Sequence, residues 1–360
     1  MYDIRRLIAA ILIFSGLYYS NFFVVKTICK VFEHKYSVKT YTFPILAIIT
    51  LSIGTQTSYM MGKKYYTITY YISVTYLGIL VNFFLFGIYF RILENIIVLN
   101  KSISIFIVVI CPIFISIYGL IKAKIIFVDN IIIKIKKYKS KNPTKICHLS
   151  DIHLGAIYQK NFCQKIINII NNKIKPDIVV ITGDLMDSSL KPNIQSLKPF
   201  DQIKVPILYI TGNHEETIGK EEVLEVLKKT KIIHIGDIKG SFFFNGINFF
   251  GIDYDYNIIE RLKEINIKND GNNINVLLSH VPNLSPKDLE KFNLDIFLCG
   301  HTHGGQNFPL HIFSYTSSKC FKGLYKYFEK YVFVSSGVGT SLFPMRIGSS
   351  STIHVINVQN

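Results

Sequence analysis

Within Leu298–Gln306, LCGHTHGGQ, His301 and His303 stand one residue apart, behind an apolar run and ahead of Gly304 and Gly305. Neutral imidazoles are among the commonest metal ligands, and four other stretches supply side chains of compatible chemistry. DIHLG carries Asp151 and His153, GDLMD carries Asp184 and Asp187, GNHEE carries Asn213, His214 and Glu215, and His280 follows NVLLS. Together these are carboxylates, imidazoles and an amide oxygen, with no thiolate among them. A nitrogen-and-oxygen set of this kind suits manganese, iron or zinc in an open site better than a structural zinc finger or an iron–sulfur cluster. The donors outnumber what one tetrahedral ion takes, whereas two divalent ions sharing a bridging carboxylate would use them.

What must position these side chains is a set of short apolar runs. KICHLS, DIVVIT, PILYIT, NVLLS and DIFLC read as buried strands, and each ends just before one of the donor groups. Loops at strand ends of an α/β sheet converge on one crevice, so the five groups are expected to be neighbours in space. Between the strands lie helix-like segments at 161–172, 220–229 and 285–292, and FFFNGINFF reads as a hairpin turning at Asn245-Gly246. The result is a mixed α/β domain of about 215 residues over 145–360, without an internal repeat.

The first third of the chain has a different character. Four stretches without charge, 7–25, 42–62, 65–90 and 102–121, each approach the length needed to cross a bilayer as a helix. Lys26, Lys63, Lys64, Arg91, Lys101 and Lys122 bracket them, as basic residues flank membrane spans. Residues 1–124 are therefore expected to be a multi-span transmembrane region embedded in the lipid bilayer. No small-x-small cleavage pattern marks the first span as a removable signal peptide. Residues 125–144 form a basic linker whose alternation at 131–137 suits a half-exposed first strand. The net charge of +16 invites a nucleic-acid reading. Many of these lysines lie just past the last span, where they meet anionic head groups, and no nucleic-acid module is present. The six cysteines, Cys29, Cys111, Cys147, Cys163, Cys299 and Cys320, show no redox or zinc spacing. Free thiols favour a reducing compartment. With four spans both termini share one side, and Arg5, Arg6, Lys63, Lys64 and the lysines beyond Ile121 place that side in the cytoplasm, against Lys26, Lys30, Lys35 and Lys39 in the opposite loop.

The series SDIH, GDLMD, GNHE, SH and GHTH resembles the five-block signature of the calcineurin-like metallophosphoesterases, over roughly Lys145–Val358. Within that superfamily, GHTHGGQ followed by KGLY (Lys322–Tyr325) and SSGVGTSLFPMR (Ser335–Arg346) is similar to bacterial membrane-associated phosphodiesterases. The resemblance implies a four-layer αββα sandwich behind the membrane region, in a bacterial cell membrane. It implies a first ion held by Asp151, His153, Asp184 and His303, and a second held by Asp184, Asn213, His280 and His301, with Asp184 bridging. Manganese is the expected metal, with iron or zinc as alternatives. The implied reaction is hydrolysis of a phosphodiester or pyrophosphate bond by a metal-bridged hydroxide. His214 would act as general acid or hold phosphoryl charge, and Asp187 would bond to a ligating imidazole. Gly304 and Gly305 would keep Cβ atoms clear of the phosphate. Arg346 would pair with a substrate phosphate, a surface ion pair being the other reading. His148 is expected to pack within its strand, and His34, His234, His311 and His354 carry no motif. The substrate is expected to be a phosphorylated small molecule or a lipid-linked one. A phosphoprotein or phosphomonoester phosphatase is the alternative, and a non-catalytic membrane receptor on the same fold is a third reading.

Overall fold

The computed structural model describes residues 2–35, 37–140, 142–236, 241–255, 257–265, 267, 273–308 and 318–360; for 2–11, 39–41, 43, 53–54 and 56–59 only the backbone is described. His311 lies outside the described residues. Two compact units emerge: one holds Met1–Ile121 with Leu342–Met345, the other Lys122–Ser341 with Arg346–Asn360.

The first unit is helical: Tyr2–Val31, Val38–Met61, Lys63–Leu93 and Lys101–Ala123, the last widened by a π-helical turn at Phe106–Ile110. Among the described residues three segments, Leu12–Val31, Lys63–Leu93 and Lys101–Ala123, are long and apolar enough to cross a membrane. The expected stretch 42–62 falls on Val38–Met61, many of whose side chains are outside the described set. Many large apolar side chains face outward here while several polar ones are buried. Ile72, Phe114 and Ile117 are exposed, while Asn82 and Ser116 are buried. Asn82 donates to Ser116 Oγ at 2.9 Å, and Thr55 and Ser73 share a hydrogen bond at 3.0 Å. Such side-chain bonds join helices where lipid offers no polar partner.

The second unit is built on two sheets of six strands. The first runs β1 (Ile126–Lys134), β12 (Ser351–Gln359), β2 (Thr144–Leu149), β3 (Ile178–Thr182), β4 (Ile207–Ile210) and β5 (Ile232–His234). The second runs β10 (Gly323–Tyr327), β11 (Lys330–Val334), β9 (Ile296–Cys299), β8 (Ile274–Leu278), β7 (Ile247–Gly251) and β6 (Ser241–Phe244). Both are mixed. Only β12 against β2, β10 against β11 and β6 against β7 run antiparallel.

Three apolar layers hold this unit together. Ile146, Ile178, Val180 and Leu208 of one sheet pack on Phe249, Val276, Leu278 and Leu298 of the other. The outer face of the first sheet, with Cys147, Val179 and Ile181, is covered by Cys163, Ile166 and Ile167 of helix Lys160–Ile169. The outer face of the second, with Leu277, Phe297 and Val332, is covered by Ile258, Leu262 and Leu289. This is the four-layer αββα sandwich. Because both faces of the central strands are covered, they read as continuous apolar runs rather than alternating ones.

The five expected strands are β2, β3, β4, β8 and β9, and Asn245 and Gly246 take φ of 49° and 77° in the β6–β7 turn. One detail differs from the sequence reading. Residues 285–292 form only a 3₁₀ turn, Asp288–Phe292, because Pro286 and the Asp288 side chain, which accepts from Ser285 N at 3.0 Å, tighten its start. The first strand expected within 125–144 is β1, Ile126–Lys134. β1 lies along β12 in parallel register, Ile126 opposite Ser351 through Lys134 opposite Gln359, so it is the edge strand of the sheet. Its alternation has the expected cause, since Ile133 and Ile135 are buried and Ile132 is exposed.

Candidate metal centre

The donor groups occupy the loops that leave β2, β3, β4, β8 and β9, and the backbone there is unusual. Asp151, His153, Asp184, His301 and His303 take φ of 52°, 53°, 50°, 71° and 51°. They make up five of the eleven non-glycine residues with positive φ in the described chain. Left-handed conformations of non-glycine residues persist where the surroundings impose them, commonly at functional sites. Each such turn redirects a side chain from the strand axis toward one point.

Two overlapping groups result. In the first, His153 Nε2 lies 3.1 Å from His303 Nε2 and 3.8 Å from Asp184 Oδ2, while His303 Nε2 is 3.4 Å from Asp151 Oδ1. In the second, His280 Nε2 lies 3.2 Å from Asp184 Oδ2 and 3.1 Å from Asn213 Oδ1. His301 Nδ1 is 3.0 Å from that same amide oxygen and 3.2 Å from His280 Nε2. The one-residue spacing of His301 and His303 therefore delivers one imidazole to each group, by Nδ1 and by Nε2 respectively. Asp184 touches both.

Hydrogen bonds hold these side chains from behind. His280 Nδ1 donates to the Thr182 carbonyl at 2.8 Å. A carbonyl can only accept, so Nδ1 carries the proton and Nε2 is turned to the centre. Ser150 Oγ donates to Asp151 Oδ2 at 2.5 Å, and the His301 N–H reaches Asp151 Oδ1 at 3.2 Å. Gly300 must be glycine, because a Cβ there would stand 1.7 Å from Ser150 Oγ.

The charge states of three of the four converging imidazoles suit ligation. Burial lowers His153 and His301 to about 4, and it lowers His303 well below the ordinary imidazole value, so these three rings are neutral at pH 7. Burial also raises Asp151 to about 6, partly opposed by His280. For Asp184 burial acts upward, yet the His280 and His153 rings outweigh it and hold the carboxyl well below its usual range. His280 is the counterpart: burial opposes its charge, but Asp184 and the Thr182 carbonyl lift it to about 10. His153 Nδ1 and His303 Nδ1 are buried without hydrogen-bond partners, a desolvation cost of about 1–3 kcal/mol for each such group. Convergent neutral imidazoles, two acidic side chains and an amide oxygen, held at that cost, fit divalent ions of the manganese, iron and zinc type.

His214 follows Asn213 and stands edge-on to His153, with ring centroids 4.6 Å apart. Its N–H donates to Asp184 Oδ1 at 3.0 Å, and its Nδ1 lies 3.6 Å from Asp187 Oδ1. Burial opposes its charge, but Asp187 and Asp184 outweigh that and raise its pKa above the ordinary value.

Two expectations, for Asp187 and Arg346, require correction. Asp187 bonds to His214 and Ser189 rather than supporting a ring within either donor group. Glu215 turns away from the centre and accepts the N–H groups of Gly212, Asp184 and Met186 at 2.7, 3.0 and 2.8 Å, tying the β3 and β4 loops together. Arg346 is fully buried and makes no surface ion pair. It donates to the carbonyls of Gly337, Gly339, His303 and Ser350 and to Ser349 Oγ, so no N–H is left for a substrate phosphate. His148 is buried as expected, with Nε2 2.8 Å from Thr182 Oγ1. His234 and His354, which carry no motif, face Asp253 and Asp129 at 3.0 and 3.5 Å. The supporting role of Ser150 is foreshadowed only by its place before Asp151. That of Thr182 has no side-chain signal, because a carbonyl does the work.

A family model described as calcineurin-like phosphoesterase matches residues 144–305. The chain is 32% identical over 218 residues to an uncharacterised metallophosphoesterase of Helicobacter pylori, a match that takes in 58% of each chain. It is 34% identical over 233 residues to an uncharacterised metallophosphoesterase of Campylobacter jejuni, covering 61% of this chain and 60% of that one. Over 260 residues it is 32% identical to a transmembrane protein with metallophosphoesterase domain from Danio rerio, covering 66% and 59%. The chain thus spans about three fifths of the length of these relatives.

Proposed function

Residues 144–305 are a calcineurin-like metallophosphoesterase domain, and on that premise we propose that the chain is a membrane-anchored hydrolase cleaving a phosphodiester or diphosphate bond with two divalent ions. One observation carries this reading: seven donor side chains from five strand-end loops form two groups that share Asp184. Asp151, His153, Asp184 and His303 would hold one ion, and Asp184, Asn213, His280 and His301 the other. Bound there, the pair would acidify a water and neutralise charge on the phosphoryl oxygens.

The chain's own groups do the remainder. The Thr182 carbonyl and the Ser150 hydroxyl orient His280 and Asp151, so little reorganisation is needed when substrate arrives. Asp187, facing Nδ1, raises the pKa of His214 and so favours its protonated form. That leaves Nε2 to donate a proton to the departing oxygen. A cavity of about 830 Å³ lined by Tyr254, Asp253, His234, Lys220 and Arg261 lies on the His280 side, the Tyr254 ring being 6.4 Å from that of His280. The three long apolar helices support membrane anchoring. Basic flanks and free cysteines favour a cytoplasmic catalytic unit, and a lipid-linked phosphate ester or diphosphate is then the natural substrate class.

The test uses the full chain in detergent, stripped of metal and reloaded with manganese. It would be offered bis-(p-nitrophenyl) phosphate, p-nitrophenyl phosphate and a nucleotide-diphosphate sugar. Metal-dependent turnover of the diester or the diphosphate is expected. Bound metal with no turnover of any of the three would overturn the reading, and turnover of the monoester alone would turn it to a phosphomonoesterase.

A further inference from the structure

The cavity beside Tyr254 supplies none of the donor side chains, yet the loops that wall it are tied to them. Asp253 Oδ1 accepts the Thr211 N–H at 2.8 Å, and the Tyr254 N–H donates to Thr211 Oγ1 at 3.4 Å. Thr211 stands two residues before Asn213, so the loop leaving β7 is bound to the strand end that delivers the amide oxygen met by His280 and His301. Glu216, on the cavity wall, lies one turn beyond Asn213 on helix Asn213–Ile218. With the Tyr254 ring 6.4 Å from the His280 ring, the cavity lies beside the group of Asp184, Asn213, His280 and His301. Its volume of about 830 Å³ falls in the range of small-molecule sites.

The wall is held in place and its charges are matched. Lys220 Nζ lies 2.7 Å from Asp253 Oδ2, His234 Nε2 lies 3.0 Å from the same oxygen, and Arg261 Nε donates to Asp255 Oδ2 at 3.0 Å. Gly236 admits Asp253, since a Cβ there would stand 1.7 Å from its Oδ1. Asp255 also accepts the Asn257 N–H at 2.7 Å, which sets it at the start of helix Ile258–Glu264, the helix that carries Arg261. Among the described residues, each of these cations faces a carboxylate. The wall thus holds no excess positive charge for a second phosphate, while Lys220 and Arg261 repel an ammonium group. A carboxylate in such a pair keeps lone pairs, and an ammonium or guanidinium keeps N–H groups. Acceptors and donors interleaved around an aromatic ring match hydroxyl groups, each of which both donates and accepts. The ring adds an apolar face for the C–H side of a sugar or polyol.

We propose that this cavity takes a polyhydroxyl group, a sugar or cyclic polyol, carried on the attacked phosphate. Tyr254 packs against its C–H face, and Asp255, Arg261 and Lys220 bond its hydroxyls. The inference rests on the phosphoesterase reading, because a phosphate held at the donor groups is what brings its substituent to the cavity. Each hydroxyl bonded to a charged side chain contributes about 10–100-fold in affinity.

Calorimetry on the manganese-loaded full chain in detergent tests this with phosphonates, whose C–P bond is not hydrolysed. The probes are the methylenephosphonate analogue of glucose 1-phosphate, cyclohexylmethylphosphonate, 2-aminoethylphosphonate and methylphosphonate. The glucosyl probe should bind about 10–100-fold more tightly than the cyclohexyl one, which offers a similar ring without hydroxyls. Arg261→Met, at a side chain 46% exposed, should remove most of that advantage, and Tyr254→Leu should weaken both ring probes. Methylphosphonate affinity, metal content and melting temperature should stay as in the wild type. Equal affinity of the two ring probes, or an advantage that survives both Arg261→Met and Lys220→Met, would overturn the proposal. So would tighter binding of 2-aminoethylphosphonate than of the glucosyl probe, which would make the cavity an ammonium site. If the glucosyl probe binds in an Arg261-dependent way while no phosphoester is hydrolysed, the hydrolase reading falls and this one stands. If phosphoesters are hydrolysed while the glucosyl probe gains nothing over methylphosphonate, the reverse holds.

Discussion

Replacing Arg346 with methionine removes a buried guanidinium that makes six hydrogen bonds, to the carbonyls of Gly337, Gly339, His303 and Ser350 and to Ser349 Oγ. Among the described residues the Gly339 carbonyl relies on Arg346, whereas the Gly337 carbonyl keeps the Thr352 N–H at 3.0 Å, the Ser350 carbonyl keeps Thr352 Oγ1 at 3.1 Å, and the His303 carbonyl keeps the Ser349 hydroxyl at 2.8 Å. Each orphaned buried acceptor costs about 1–3 kcal/mol. Against this, a charge that burial has already lowered to a pKa of about 10 no longer needs to be desolvated. The net loss should be about 1–3 kcal/mol, the cost of the one carbonyl left unpaired. For a unit of this size that corresponds to a melting temperature lower by about 2–12 °C. Thermal unfolding of the full chain in detergent reads the shift, and elemental analysis of the folded fraction should show metal lost as the His303 backbone relaxes. Arg346→Lys, which keeps the charge but not the fork, should recover only part of the stability. An Arg346→Met protein with unchanged melting temperature and metal content, but a raised KM for phosphoester, would refute the argument. It would mean that the guanidinium reaches substrate.

Asp184→Asn should lower metal content and turnover together, because it removes the one carboxylate common to both groups; two metals retained at normal turnover would dismiss the bridging assignment. His214→Gln should keep both metals while turnover falls about 10²–10⁴-fold. The deficit should shrink for a nitrophenolate leaving group and grow for an alkoxide, and a uniform deficit would show that His214 holds phosphoryl charge instead. At Asp253 burial favours the neutral acid, but His234, Lys220 and the Thr211 N–H outweigh it and bring the pKa to about 2. A folded-state pKa below the unfolded value of about 3.9 gives stability that is present above pH 4 and lost as pH falls toward 2, roughly 2–3 kcal/mol in all. Asp253→Asn should therefore be less stable at pH 7 and lose less between pH 4 and 2. Parallel acid-unfolding curves for variant and wild type would contradict this.

Five strands and the Asn245-Gly246 hairpin were legible in the sequence. Strands covered on both faces are unbroken apolar runs, and a turn that needs two positive φ values selects Asn-Gly. The donor set was legible because each group follows such a run, and strand ends of one sandwich edge meet. What the sequence could not display is how groups far apart in the chain use one another. His153 and His303, 150 residues apart, come within 3.1 Å only after both sheets have closed. Arg346 looks like a phosphate ligand in isolation, but the closed loops surround it with carbonyls before any substrate arrives. Glu215 has a ligand's chemistry, yet three backbone N–H groups claim it. Side-chain type and strand-end position thus determined which residues could do the chemistry. Their division into two groups sharing Asp184, and the assignment of the rest to support, was decided by backbone carbonyls and N–H groups, which every residue carries and no sequence pattern distinguishes.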